Sequence, residues 1–98
     1  MIIYICSPLR GDIEGNLERA KKYCRDVAEL GHVPIAPHLY FTQFLDDHIP
    51  EERERGMEMG LSLIYLCEQL WVYGDVISEG MKQELKRART SGIRVLYK

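Results

Sequence analysis

Apolar positions along this chain alternate between two spacings. Ile2 to Cys6 is a short run with no polar residue, rich in β-branched side chains, which suits a central parallel strand covered on both faces. From Glu14 to Leu30 the spacing becomes helical: Leu17, Ala20, Tyr23, Cys24, Val27 and Ala28 recur three and four residues apart. Gly31 stops that helix, and His32 to Ala36 reads as a second strand halted by Pro37. The stretch PHLYFTQFLDDHIP, from Pro37 to Pro50, reads as a long loop of unusual aromatic content. Pro50 followed by Glu51, Glu52 and Glu54 reads as the first turn of a helix reaching about Cys67. Leu70 to Tyr73 is the third strand, Gly74 to Glu79 a polar loop, Gly80 to Thr90 a helix stopped near Gly92, and Ile93 to Tyr97 the last strand.

The expected order is βαβαβαβ over a single domain, residues 1–98. Such alternation predicts a small doubly wound α/β fold of the flavodoxin-like or Rossmann-like kind. It would have a four-stranded parallel sheet, right-handed crossovers, helices on both faces and strand one in the middle. Ligands of such sheets lie beyond the carboxyl ends of the strands. Three loops leave those ends, Ser7 to Gly15, Pro37 to Pro50 and Gly74 to Glu79, and all three carry unusual residues.

Composition narrows the picture. A net charge of −2 lacks the basic excess of a nucleic-acid binder, so no nucleic-acid polymer is expected as partner. No apolar run approaches the ~20 residues that cross a bilayer, so no membrane partner is expected either. Cys6, Cys24 and Cys67 form neither a CxxC pair nor an even set, which argues against disulfides and zinc and fits a cytoplasmic location. His32, His38 and His48 lack metal-ligand spacing, and no metal or cofactor is expected. The helix from Glu51 carries Met57, Met59, Leu61 and Tyr65 around much of its circumference, which predicts burial on more than one side and hence a homodimer or a higher even oligomer.

The loops hold the candidate chemistry. Ser7, Arg10 and Gly11 precede a helix start, where backbone N–H groups and the helix dipole favour an anion and a guanidinium can clamp it. The plainer reading is that Asp12 or Asn16 caps the helix and Arg10 is solvated. Ser78 is a candidate N-cap, and Glu84 stands one turn beyond Gly80, where it could face a cleft; the plainer reading makes Glu84 a solvated partner of Arg87. His38, Tyr40 and Phe41 could stack on a base or sugar, or cover the core.

Together YICSPLRG, APHLYF and GDVISEGMKQE resemble the nucleoside 2-deoxyribosyltransferase superfamily, which includes deoxynucleoside monophosphate N-glycosidases. The whole chain is most similar to a branch of small bacterial and phage proteins carrying a domain of unknown function. The resemblance implies that Tyr4 matches a tyrosine at the end of the first strand, near the catalytic carboxylate. It implies that Ser7, Arg10 and Gly11 correspond, with one extra residue, to a phosphate-holding Ser-Ile-Arg-Gly loop. Gly80 to Glu84 fits the family's Gly-x-x-x-Glu stretch, so the resemblance assigns the nucleophile to Glu84 and a phosphate contact to Ser78. It also implies that a partner subunit completes the site. The family's aspartate in the preceding helix has no counterpart in Met57 to Gly60, where Glu58 is the available acid.

Two function classes follow. One is an enzyme, a hydrolase or deoxyribosyltransferase acting on the N-glycosidic bond of a nucleoside or nucleotide through a carboxylate nucleophile. The other is a non-catalytic binder of a nucleotide or nucleotide-derived signal; a purely structural domain is the plainest alternative.

Overall fold

A computed structural model describes residues 1–98. Its elements run β1 (Ile2–Cys6), α1 (Ile13–Glu29), β2 (Val33–Ile35), α2 (Pro37–Phe41), α3 (Pro50–Ile64), β3 (Gln69–Val72), α4 (Glu79–Thr90) and β4 (Arg94–Tyr97). The strands form one parallel sheet in the order β2-β1-β3-β4, with β1 central. Pro34 lacks a donor for the ladder and sits in the edge strand β2, opposite Ile3, where that loss is tolerated.

The unbroken apolarity of β1 has a direct cause. Alternate residues of a strand point to opposite faces, and both faces of this sheet are covered. Ile3 and Ile5 pack with Val27 of α1 and Trp71 of β3 on one face. Tyr4 and Cys6 face the other side, with Ile64 of α3 and Met81, Leu85 and Ala88 of α4. Tyr4 therefore enters the α3/α4 layer from the middle of the sheet, two residues before Cys6 and at the same face.

Four expectations are corrected. The order is βαβααβαβ, because the Pro37–Pro50 segment opens with α2; Pro37 supplies the fixed φ of a first helical position. α3 ends at Ile64 rather than Cys67, as the Leu66 and Cys67 N–H groups bond to carbonyls only three residues back. α4 begins at Glu79, so Gly80 is its second residue. Ala28 is exposed, since Val27 takes the buried position at that end of α1. No helix is long and apolar enough to cross a membrane.

Candidate functional site

The sheet order changes direction between β1 and β3, and the loops leaving those strands diverge there to opposite sides. This is where doubly wound sheets open a crevice. The crevice here is a cavity of about 810 Å³ whose lining includes Tyr4, Ser7, Arg10, Gly11, His38, Ser78 and Glu84. These seven residues, each singled out in the sequence, thus border one space. They come from β1, the β1–α1 loop, α2 and the start of α4.

Glu84 lies at the inner wall. It is 9% exposed, which is unusual for a carboxylate, and both its oxygens have partners. The Tyr4 hydroxyl donates to Oε2, and the Cys6 thiol lies 3.5 Å from Oε1. Burial pushes the Glu84 carboxyl up to about 7, against the opposing pull of the Tyr4 and then the Cys6 hydrogen bonds. Burial, and next the Glu84 charge, hold the Tyr4 phenol well above its usual range, so it stays a donor. Arg87 is not the partner of Glu84; its guanidinium lies 5.8 Å from the Tyr65 ring centre.

Two glycines shape this wall. A Cβ on Gly60 of α3 would come 3.1 Å from the Tyr4 hydroxyl oxygen, so a larger residue there would crowd the phenol against Glu84. A Cβ on Gly80 would come 2.8 Å from the Met57 terminal methyl, so a larger residue there would push the flexible end of Met57 aside.

The anion-binding features divide between two loops. Asp12 caps α1, accepting from the Gly15 N–H at 3.1 Å, so a carboxylate already occupies that helix start. Asn16 holds the loop by donating to the carbonyls of Leu9 at 2.9 Å and Arg10 at 3.3 Å. The capping half of the plainer reading therefore describes Asp12. Arg10 points to the cleft, 65% exposed, with its Nε 3.7 Å from Asp47 Oδ2. The start of α4 has an uncharged cap instead: Ser78 Oγ accepts from the Met81 N–H at 3.3 Å, leaving its own hydrogen free to donate. The first N–H groups of α4 have no acceptor within the helix. Deeper in, Ser7 Oγ and His38 Nε2 are 3.4 Å apart. Burial lowers His38 to about 4, so the imidazole is neutral at physiological pH and adds no positive charge.

The sequence reading missed several cleft residues. Asp47, Arg53, Glu54 and Gln83 all line the cavity. Asp47 comes from the segment read as an aromatic loop, and Arg53 and Glu54 from the first turns of α3. Their nearness to the cleft depends on how α3 crosses the sheet, which no local pattern states. Glu58 is exposed and does not line the cavity, because that register of α3 faces away from β1. Tyr40 is exposed as well, while Phe41 does line the cleft. No group of three or more His, Cys, Asp or Glu side chains is arranged to hold a metal ion.

A family model described as a domain of unknown function (DUF7768) matches residues 1–98. No curated protein matches the chain. Among solved structures, the chain is similar to a 2-deoxyribosyltransferase from the psychrotolerant bacterium Bacillus psychrosaccharolyticus. That match has a TM-score of 0.77 and 22% identity, and spans 99% of this chain and 71% of the other. At that identity the likeness establishes a shared fold.

Proposed function

The chain belongs to the family described as a domain of unknown function (DUF7768), and from that premise we propose that it acts at the N-glycosidic bond of a nucleoside or deoxynucleotide, with Glu84 as nucleophile. The observation that carries the reading is the buried Glu84 carboxylate, held at both oxygens beside a cleft that Arg10, Ser7 and Ser78 also line. The fold shared with a 2-deoxyribosyltransferase supports it.

In this reading an anionic group of the ligand, such as a 5′-phosphate, is bound by the Arg10 guanidinium, the Ser78 hydroxyl and the open N-terminus of α4. Ser7 donates to the same group, with neutral His38 as its neighbour. The sugar then lies over the first turns of α4, against Glu84. A carboxylate oxygen attacks the anomeric carbon as the bond to the base breaks, and the base leaves with the bonding pair and takes up a proton. The positive charge developing at the anomeric carbon faces a carboxylate, which stabilises it. Water then attacks the glycosyl ester, freeing the sugar and returning the carboxylate, with one proton released; a second base in place of water gives transfer. Tyr4 stays protonated and orients the carboxylate.

A second reading, a non-catalytic binder, is favoured by Glu58 facing away from the cleft, so that the Met57 to Gly60 stretch of α3 brings no acid to it. One experiment separates the two. The protein is incubated with a panel of deoxynucleosides and their monophosphates, and free base is measured by chromatography, with binding followed by calorimetry. Base release that is lost in Glu84→Gln with binding retained supports the enzyme. Binding without release by the parent supports the binder.

A further inference from the structure

We propose that Cys6 is a positioning residue of this site: its thiol holds one oxygen of the Glu84 carboxylate while Tyr4 holds the other, so that a single strand fixes both oxygens of one acid. The inference rests on the reading of Glu84 as the functional carboxylate.

The geometry follows from the pleat. Residues 4 and 6 of β1 project to the same face. α4 crosses that face with Glu84 inward, flanked by buried Met81 and Leu85. The carboxylate meets two donors from alternate positions on one strand, Tyr4 Oη at Oε2 and Cys6 Sγ at Oε1. Cys6 is fully buried, and its only other acceptor is the Met81 carbonyl, 4.0 Å away. Its thiol is therefore committed to α4. Burial, followed by the Glu84 charge, holds that thiol far above its usual range, so it is a donor and not a thiolate.

The two donors are unequal. A phenol O–H is a strong donor and a thiol a weak one. Oε1 is thus held in direction yet remains the less stabilised of the two oxygens. Removing the thiol leaves Oε1 buried with no donor, and replacing it with a hydroxyl strengthens the hold. The ionisable groups that share the cleft with Glu84 come from every element around it: Tyr4 and Cys6 of β1, Arg10 of the β1–α1 loop, His38 of α2, Asp47 before α3, Arg53 and Glu54 of α3, and Glu79 of α4.

The test titrates Glu84 itself in the ligand-free protein, by carboxyl carbon NMR with labelled glutamate, in the parent, Cys6→Ala and Cys6→Ser. Glu84→Gln identifies the resonance. Cys6→Ala is expected to move the Glu84 midpoint up, and Cys6→Ser to return it to or below the parent value. Cys6→Ser is close to isosteric and decides the matter alone should Cys6→Ala fail to fold. Unchanged midpoints in the folded variants overturn the inference, and so does a Cys6→Ser midpoint at or above that of Cys6→Ala. The titration needs no turnover. A parent that releases no base therefore defeats the enzymatic reading and leaves the role of Cys6 to be decided separately.

Discussion

Replacing Glu84 with glutamine should stabilise the protein progressively as pH rises through neutrality. The reason is linkage. Glu84 titrates near 4.5 when unfolded and near 7 when folded, because burial penalises its charge. The folded state therefore holds a proton that the unfolded state has lost, and stability falls as pH rises across that window. The shift corresponds to about 3 kcal/mol, at 1.36 kcal/mol per pH unit. His38 acts in the opposite direction. Burial lowers it from 6.5 to about 4, so the unfolded state holds the extra proton and stability rises with pH between those values. In the parent the two trends offset each other from about pH 4.5 to 6.5, and only the Glu84 loss continues to about 7. Glu84→Gln keeps the His38 trend and removes the other. The difference in unfolding free energy between variant and parent should grow by about 3 kcal/mol from pH 4.5 to pH 8 and then level off. Urea unfolding at half-unit pH intervals measures it. A difference that stays constant or shrinks with pH refutes the claim that Glu84 is a destabilised buried acid.

Four further outcomes follow. Arg10→Ala should weaken deoxynucleotide binding by about 1.5–3 kcal/mol, the range for hydrogen bonds to charged groups; calorimetry giving equal affinities removes Arg10 from the site. Tyr4→Phe should move the Glu84 midpoint up, as a carboxylate loses its strongest donor, and the labelled-glutamate titration reads this directly. Gly74→Ala should cost about 1–2 kcal/mol in thermal or urea unfolding, since φ is +98° there and a Cβ would come 3.3 Å from Pro8 Cδ. Light scattering at micromolar concentration should show a dimer or higher even oligomer, given the exposed Tyr65 and Leu66 beside half-buried Met59 and Leu61 at the end of α3.

What the sequence disclosed and what it withheld divide along physical lines. β1 was legible because a strand covered on both faces must be apolar at every position, and Ile2 to Cys6 meets that condition. The ends of α1 and α4 were legible to within a residue because Asp12, Gly31, Ser78 and Gly92 are punctuation with local causes. α2 was hidden because five residues with aromatic side chains carry too little periodicity to separate helix from loop. The convergence of Arg10, Ser78 and Glu84 on one cleft followed from the strand order, since loops leaving parallel strands share one edge. Asp47, Arg53 and Glu54 were beyond reach, because their place depends on the crossing of α3 over the sheet. Cys6 was legible only as a strand residue: its bond to Glu84 needs the register of α4 against β1 as well as the pleat.

The claim that Glu84 attacks the sugar is tested most directly by intact-protein and peptide mass spectrometry on acid-quenched mixtures of protein and deoxynucleoside monophosphate. A covalent glycosyl–enzyme intermediate predicts a mass increase equal to one deoxyribose phosphate residue, confined to the peptide containing Glu84 and absent from Glu84→Gln. Base release with no such adduct at any quench time, or an adduct on another residue, contradicts the account.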